Sequence, residues 1–396
     1  MNETASSERV HIGFFGRSNV GKSSLMNAVT AQEMSVVSPM RGTTTDPVQK
    51  SMELLPLGPV VMMDTPGLDD DTTLGSLRMS RARQTLNRTD IAVLVLDGTV
   101  GLTAEDAAIL ELIQKKQIPC VVAVNKSDLP LAELSLKGCA IVLVSAKTGQ
   151  GIHELKEAIA KAVPSGDNGR RLIGDLLASG DLVVLVTPID AAAPKGRLIL
   201  PQVQTLRDIL DSGAMGVVTK ETELPATLAK LAVSPKLVVT DSQVFAKVAK
   251  IVPQDILLTS FSILFSRYKG YLSGAVKGVY ALDALKDGDT VLISEGCSHH
   301  RQCGDIGTEK LPKLIRGRCG KEIHFEFTSG TGFPDDLSRF AVVVHCGGCM
   351  LTEREMHYRA KCAEDQNIPF TNYGITIAHL NGILERCIEP VRRFLL

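Results

Sequence analysis

The sequence predicts an α/β protein built from three successive domains. Short runs of β-branched and aliphatic residues alternate with amphipathic stretches along the 396 residues, a pattern typical of strands that alternate with helices. A single hydrophobic core seldom grows beyond about 250–300 residues, so a chain of this length is expected to divide. Loop-like segments between the apolar runs predict domains at residues 8–165, 170–270 and 271–396.

The candidate strands of the first domain are continuous apolar runs, which are typical of a parallel sheet covered on both faces. These strands are His11–Phe15, Val60–Met63, Ile91–Leu96, Cys120–Val124 and Ala140–Val144. The clearest candidate strands of the later domains are Leu182–Val186, Gly216–Thr219, Leu237–Thr240, Asp255–Leu258, Thr290–Ser294 and Ala341–His345. One long helix near Ile375–Phe394 is predicted to close the chain.

Charge and hydropathy argue against two classes of partner. The 43 basic and 44 acidic residues leave a net charge of −1, whereas affinity for nucleic acids rests largely on clustered lysines and arginines. No apolar run reaches the ~18 residues that a membrane-spanning helix needs, and the first residues carry no signal-peptide pattern. We therefore expect no nucleic-acid partner, no membrane span and a cytoplasmic location.

A phosphate-binding loop is predicted directly after the first candidate strand. Residues 16–23 have the sequence GRSNVGKS and match the G-x-x-x-x-G-K-S/T pattern, which requires a preceding strand and a following helix. In such loops backbone N–H groups converge on the phosphates at the helix N-terminus. Lys22 is expected to reach the β- and γ-phosphates, and the Ser23 hydroxyl is expected to bind Mg²⁺.

Two further segments are expected to face the phosphates and the magnesium ion. Asp64 and Gly67 belong to a D-T-P-G loop after the second candidate strand, where the carboxylate can reach Mg²⁺ and the Gly67 N–H can meet the γ-phosphate. Residues 42–46 have the sequence GTTTD and lie where a switch segment belongs. A threonine there can close over Mg²⁺; Thr44 is favoured and Thr43 is nearly as suitable.

Two loops are expected to select guanine. Asn125, Lys126 and Asp128 form an N-K-x-D loop after a candidate strand, and the Asp128 carboxylate can accept hydrogen bonds from both N1–H and N2–H₂ of guanine. Adenine offers no such pair of donors, so this loop favours GTP over ATP. In the S-A-K loop Ser145–Lys147, a backbone N–H can meet guanine O6.

These loops, in this order and each after a candidate strand, predict a P-loop GTPase domain followed by two further α/β domains. The expected cofactors are GTP or GDP together with Mg²⁺, which Ser23, Thr44 and Asp64 would hold. The expected GTP-binding residues are Gly16, Asn19, Val20, Gly21, Lys22, Ser23, Ser24, Asp64, Gly67, Asn125, Lys126, Asp128, Ser145, Ala146 and Lys147.

The GRSNVGKSS and GTT-x-D patterns resemble those of the TrmE–Era branch of bacterial GTPases. Leu68 follows the D-T-P-G loop, at the position of the water-orienting glutamine of Ras-like enzymes. In several members of the resembled branch a K⁺ ion supplies positive charge instead, held partly by an asparagine that matches Asn19. The resemblance therefore implies K⁺-stimulated GTP hydrolysis with Lys22, Thr44 and Asn19 as catalytic residues.

A second candidate site lies in the third domain. Nine cysteines, most of them after residue 296, favour metal binding over disulfides in a chain without a signal peptide. Cys297-Ser-His299 follows one candidate strand, and His345-Cys346-Gly-Gly-Cys349 caps another. If these strands are parallel neighbours, both segments emerge at one sheet edge. Three thiolates with one or two imidazoles suit structural Zn²⁺ or an iron–sulfur cluster, and spacing alone favours zinc slightly.

The combination of both sites resembles the family of FeFe-hydrogenase maturation GTPases, HydF, over essentially the whole chain. The resemblance implies a 4Fe-4S cluster bound by Cys297, Cys346 and Cys349, with His299 and His345 as candidates for the fourth ligand. It also implies a homodimer formed through the middle domain. Radical-SAM maturases would act upstream, and apo-FeFe-hydrogenase would receive a di-iron precursor of its active site.

The sequence thus favours a GTP-hydrolysing iron–sulfur scaffold for hydrogenase maturation. One alternative is a ribosome- or tRNA-associated GTPase with a structural zinc module. The near-neutral charge and the lack of interleaved basic and aromatic residues weigh against RNA binding. A second alternative is an assembly protein that senses nucleotide but turns it over too slowly to matter.

Overall fold

The computed structural model of the chain describes residues 9–30, 48–54, 57–65, 85–134, 136, 138–163, 171–188, 198–296, 305–330 and 332–395. The chain divides into two compact units, residues 1–168 and residues 169–396. None of the helices in the described ranges is long and apolar enough to cross a membrane.

The first unit is built around a six-stranded sheet in the order β2-β3-β1-β4-β5-β6. Its strands are β1 Val10–Phe15, β2 Val48–Leu54, β3 Gly58–Asp64, β4 Ile91–Asp97, β5 Cys120–Asn125 and β6 Ala140–Leu143. The helices of this unit whose full bounds are described are α1 Lys22–Thr30, α2 Ala104–Lys115 and α3 Ile152–Ala162. Alternate side chains of β4 and β5 enter two different hydrophobic clusters, so these central strands are buried on both faces, as their apolar sequences predict.

Strand pairing in this sheet is parallel except between β2 and β3. The apolar-run pattern did not predict β2, whose sequence VQKSMEL mixes polar and apolar residues. An outer strand pairs on one side only and tolerates polar side chains, so it lacks the signal that marks a central strand. Parallel pairing brings the carboxyl ends of β1, β3, β4 and β5 to one edge of the sheet.

The second unit contains two four-stranded sheets with the same topology. One has the order β10-β9-β7-β8 and the other the order β12-β11-β13-β14, and their pairings are parallel. In each sheet the chain places its second strand on one side of the first strand and its third strand on the other side. Such a reversal opens a crevice at the carboxyl edge of a sheet, where ligands bind in α/β folds.

The strands of the second unit are β7 Leu182–Val186, β8 Met215–Thr219, β9 Leu237–Thr240, β10 Leu257–Ser260, β11 Thr290–Ser294, β12 His324–Thr328, β13 Val342–His345 and β14 Phe370–Asn372. Its helices are α4 Leu200–Asp211, α5 Leu224–Lys230, α6 Phe245–Ile251, α7 Phe261–Tyr268, α8 Leu272–Val279, α9 Leu311–Cys319, α10 Glu353–Asp365, α11 Tyr373–Leu380 and α12 Leu384–Ile388.

One hydrophobic core spans both sheets of the second unit. Ser260 and Asn372 cap the N-termini of α7 and α11 with their side chains, and the Asn372 amide also donates to the Ser262 carbonyl oxygen at 3.2 Å. Helix α8 packs so closely on β14 that a Cβ added at Gly278 would lie 2.2 Å from the Phe370 carbonyl oxygen. A domain boundary at residue 270 stays a prediction, because the two sheets here share their core.

The prediction of one long closing helix is wrong. The segment consists of α11, α12 and a 3₁₀ turn at Glu389–Phe394. Helix α11 ends at Leu380. Gly382, two residues later, has a left-handed φ of 70°, and the Ile383 N–H donates back to the Ala378 carbonyl oxygen at 2.9 Å. This is the hydrogen-bond pattern of a glycine-terminated helix, which interrupts an otherwise continuous apolar periodicity.

Candidate functional site

The phosphate-binding loop connects β1 with α1, as its motif requires. The Lys22 ammonium is buried and donates to the carbonyl oxygens of Gly16 and Arg17 at 2.9 and 2.7 Å. Asn19 has a φ of 62°, a left-handed conformation that asparagine tolerates, and its side chain is exposed. The loop therefore presents a cation and an exposed amide beside the N-terminus of α1, where phosphates bind.

One buried amide connects three loops of this site. The Asn125 Nδ2 donates to the Val20 carbonyl oxygen at 2.8 Å, and its Oδ1 accepts from the Ala146 N–H at 3.0 Å. The phosphate loop approaches so closely that a Cβ added at Gly21 would lie 2.4 Å from Asn125 Nδ2. Because the Ala146 N–H is already used, another N–H of the Ser145–Lys147 loop would have to meet guanine O6.

The guanine-selecting carboxylate is held by a hydroxyl of the neighbouring loop. The Ser145 Oγ donates to the Asp128 Oδ1 at 2.7 Å, and this hydrogen bond lowers the pKa of Asp128. Lys126 is held in turn, because its ammonium donates to the Asp97 Oδ2 at 2.5 Å. Asp128 is exposed and ionised, as an acceptor for two guanine donors must be.

Ser23 and Asp64 lie together and fit a magnesium ion. The Ser23 Oγ donates to the Asp64 Oδ2 at 2.5 Å, while the buried Asp64 Oδ1 has no hydrogen-bond partner within the described ranges. Burial raises the pKa of Asp64, although Ser23 and Lys22 oppose the rise. A hydroxyl beside a carboxylate oxygen that lacks a donor is an arrangement suited to a hard cation.

Several predicted residues of this site lie outside the described residues. They are the switch threonines Thr43 and Thr44, together with Gly67 and Leu68.

Sequence reasoning missed three residues that hold the nucleotide loops in place. Arg17 donates through Nε to the fully buried Asp106 at 3.2 Å, and Asp106 also completes a capping box with Thr103 at the start of α2. Asp97 ends β4 and holds Lys126. The sequence pattern could have identified Asp97 as a site residue, because it is a polar residue directly after an apolar run. Such residues lie at the edge of a parallel sheet where ligands bind.

The cysteine loop after β13 lies beside the end of β11 at the carboxyl edge of the last sheet. Strands β11 and β13 are parallel neighbours. The sequence analysis required this pairing for the segments that follow these two strands to leave the sheet at the same edge. The Cys346 N–H donates to the Ser294 carbonyl oxygen at 2.8 Å, and the Gly296 N–H donates to the Cys346 sulfur at 3.1 Å. Gly296 is the residue before Cys297; Cys297 and His299 themselves lie outside the described residues.

Cys346 and Cys349 fit a shared metal centre. The Cys346 sulfur accepts a second N–H, from Gly348 at 3.4 Å, and such donors favour the thiolate that metals bind. Burial raises the pKa of both thiols, that of Cys349 to about 11, so metal binding would release their protons. No set of three or more His, Cys, Asp and Glu in the described part of the chain could hold an ion, and a complete site therefore needs a further ligand such as Cys297.

The structure argues against His345 as the fourth iron ligand. Its ring is fully buried, with Nε2 3.0 Å from the Arg359 guanidinium and Nδ1 2.8 Å from the Cys346 carbonyl oxygen. Burial, followed by the Arg359 charge, lowers the pKa of His345 to about 3. The neutral ring thus accepts from Arg359 and donates to Cys346, so both nitrogens are already engaged.

Three family models match the chain. Residues 172–270 match the hydrogen maturase F dimerization domain, and residues 273–390 match the hydrogen maturase F tetramerization domain. Residues 11–126 match a model described as 50S ribosome-binding GTPase. The chain belongs to the hydrogen maturase F family. This family member joins a P-loop GTPase domain to two domains of self-association.

Curated relatives resemble only part of this hydrogen maturase F chain. The tRNA modification GTPase MnmE of Heliobacterium modesticaldum is 40% identical over 162 residues, covering 39% of this chain and 34% of the relative. MnmE of Aquifex aeolicus is 37% identical over 159 residues, covering 39% and 35%. The chain thus spans about a third of the length of the curated relatives it matches.

Solved structures of GTP-binding proteins are also similar to the chain. A variant of Era from Aquifex aeolicus with GDP and aluminium fluoride is 21% identical, with a TM-score of 0.33, covering 57% of this chain and 98% of Era. A probable GTP-binding protein, engB, is 24% identical, with a TM-score of 0.32, covering 39% and 98%.

Replacing Asp128 should change base selection. In Asp128→Asn the carboxylate that accepts from both guanine donors becomes an amide with one acceptor, so affinity for GTP should fall at least ~10-fold, as expected for a lost charged hydrogen bond. Affinity for xanthosine triphosphate should rise. Competition binding with a fluorescent guanine nucleotide measures both, and Glu111→Gln on the exposed surface of α2 serves as the control. Equal loss for both nucleotides would contradict the assigned role.

Proposed function

We propose that this hydrogen maturase F chain is a GTP-hydrolysing scaffold that carries an iron–sulfur cluster for FeFe-hydrogenase assembly. Its cargo would be the di-iron precursor of the hydrogenase active site, received through radical-SAM maturases and passed to apo-FeFe-hydrogenase in the cytoplasm. The supporting observation is the cysteine loop after β13, which holds Cys346 and Cys349 at the carboxyl edge of a domain from the hydrogen maturase F family.

Cys297, Cys346 and Cys349 would hold a 4Fe-4S cluster. Three thiolates leave one iron without a protein sulfur, and such an iron can exchange its remaining ligand. His299 is the candidate for that position, because His345 is engaged with Arg359 and Cys346. The Gly296 and Gly348 N–H groups both donate to the Cys346 sulfur and hold it in place.

The rival function is a ribosome- or tRNA-associated GTPase with a structural zinc module. MnmE supports it only over 39% of the chain, whereas the remainder matches hydrogen maturase F domains. The two functions differ in their metal, because zinc closes a tetrahedral site and an iron–sulfur cluster brings inorganic sulfide.

Serine substitution at the cysteines tests the scaffold function. The full chain, reconstituted anaerobically with ferrous iron and sulfide, should bind iron and sulfide in equal amounts. Cys297→Ser, Cys346→Ser and Cys349→Ser should each lower iron affinity at least ~10-fold, as loss of a supporting ligand does at other metal sites. Cys319→Ser on α9 is the matched control and should retain the cluster.

The serine variants should still hydrolyse GTP, because the cysteine loop and the nucleotide loops belong to different units. Thermal unfolding of the metal-free variants checks the fold of the second unit. If the protein holds one tightly bound zinc ion and takes up no iron during anaerobic reconstitution, the scaffold function is wrong. The GTPase with a structural zinc module would then be the better explanation.

We also propose that K⁺ stimulates hydrolysis and that Asn19 helps to hold it. Its exposed side chain stands on the phosphate loop, where a monovalent cation could offset charge that develops on the phosphates. Turnover should be about tenfold or more faster in K⁺ than in Na⁺ at equal ionic strength, the scale of one lost charge-stabilising group. Asn19→Ala should abolish the difference, and equal rates of the wild type in both salts would remove Asn19 from the catalytic residues.

The homodimer is proposed to form along β8. This strand is one of the two outer strands of its sheet, and Met215 and Val218 on it are 50% and 40% exposed. Neighbouring α4 adds Val203 and Leu210, which are 47% and 57% exposed. An unpaired strand edge beside exposed apolar side chains is suited to pairing with a second copy.

Two lysines placed on β8 should weaken this association. In Met215→Lys with Val218→Lys, like charges would face each other across a symmetric interface, and the sedimenting mass should fall by half. Val233→Lys is the control, because Val233 is 58% exposed but lies outside β8 and α4. An unchanged mass for the double variant would exclude β8 as the contact.

A further inference from the structure

A tight turn places two buried polar side chains next to the cysteine loop. It joins α7 to α8 where the residues that match the dimerization model end, just before those that match the tetramerization model. The Gly270 N–H donates to the Arg267 carbonyl oxygen and the Tyr271 N–H to that of Ser266, while Gly270 takes a left-handed φ of 74°. Lys269 and Tyr271, on either side of this glycine, are only 4% and 5% exposed.

Lys269 forms hydrogen bonds to both ends of the turn that carries Cys349. Its ammonium donates to the carbonyl oxygen of Gly348, directly before Cys349, and to that of Leu351 at 2.5 Å. Burying an ammonium is costly unless it is well bonded, and here the bonds fix the loop that presents a thiol. The same charge acts on Cys349 itself, where it opposes the rise in pKa that burial and Cys346 cause.

Tyr271 adds a second buried polar group, a hydroxyl. Its ring packs edge-on against Phe370 at 5.9 Å, and Phe370 stacks on His345, the neighbour of Cys346. In the described part of the chain the Tyr271 hydroxyl has no hydrogen-bond partner of acceptable geometry, although Asn372 lies near enough to lower its pKa. Burial raises that pKa overall, and Cys346 and Cys349 add to the rise. The hydroxyl is thus a buried donor on a ring that packs, through Phe370, against the neighbour of Cys346.

We propose that Lys269 and Tyr271 are positioning residues for the iron–sulfur cluster. Lys269 holds the Cys349 turn in its ligating shape and sets a positive charge beside it, and Tyr271 donates its O–H to a cysteine sulfur. The proposal rests on the proposed scaffold function. It adds residues from outside the cysteine motifs, contributed by the junction of the two self-association domains.

The expected consequence is a higher reduction potential for the cluster. Reduction adds a negative charge, which a nearby ammonium and a hydrogen bond to sulfur both stabilise. Without either group, the reduced form should be less populated at any given potential.

Substitutions that remove one group at a time test this consequence. The variants are Lys269→Met, Lys269→Arg and Tyr271→Phe, with Lys277→Met on the exposed face of α8 as the matched control. Each full chain is reconstituted anaerobically, and its midpoint potential is measured by a redox titration followed by electron paramagnetic resonance. Lys269→Met and Tyr271→Phe should show about tenfold less reduced cluster at a fixed potential, which corresponds to about 59 mV for one electron.

The remaining variants separate this role from a general effect on folding. Lys269→Arg keeps the charge and should stay near the wild-type potential, as should Lys277→Met. Tyr271→Phe removes only a buried hydroxyl, so the thermal unfolding of the metal-free chain should not fall while the potential does. If Lys269→Met does not fold, the comparison of Tyr271→Phe with wild type decides the outcome.

Two failures are distinguishable. A wild-type chain that takes up no iron would overturn the scaffold function itself. A wild-type cluster whose potential is the same in Tyr271→Phe, Lys269→Met and Lys277→Met would leave that function standing and overturn the role of the turn.

Discussion

Parallel pairing of neighbouring strands is the constraint on which both sites depend. Because β1, β3, β4 and β5 run in one direction, the phosphate loop, Asp64 and the base loop leave the sheet at one edge. The Asn125 amide then fixes the spacing of three loops with one donor and one acceptor. Leaving either backbone partner buried and unpaired would cost about 1–3 kcal/mol. In the second unit, pairing of β11 with β13 brings Gly296, the residue before Cys297, to the loop that carries Cys346.

Residues contiguous in sequence were predictable, and contacts between distant segments were not. The nucleotide loops carry short motifs after apolar runs, so their place in the fold followed from pattern. The Asn125 contact with Val20 joins residues 105 apart, and no local pattern marks it. The sequence analysis did not predict the edge strands β12 and β14 for a related reason: short or partly exposed strands lack a continuous apolar run. Strand β10 lies two residues later than its apolar pattern predicted.

His345 shows the same limit at the cysteine site. Its place beside Cys346 made it a natural candidate ligand, but its role depends on Arg359 in α10. That guanidinium is fully buried and donates to Glu355 at 2.8 Å and to the Gly330 carbonyl oxygen at 2.6 Å, as well as to His345. A charge so deep in the core needs every one of these partners. The ring of His345 is therefore part of the structure that supports the loop.

The common core of the second unit has a mechanical consequence. Two domains joined by a linker would move independently, and a contact made by one would leave the other free. Here the sheet that carries the β8 edge and the sheet that carries the thiols are packed into a single body. Subunits that join along one sheet thus fix the orientation of the other sheet as well. If the subunits associate along β8 as proposed, that contact would also determine the direction in which the Cys346–Cys349 loops of the two copies face.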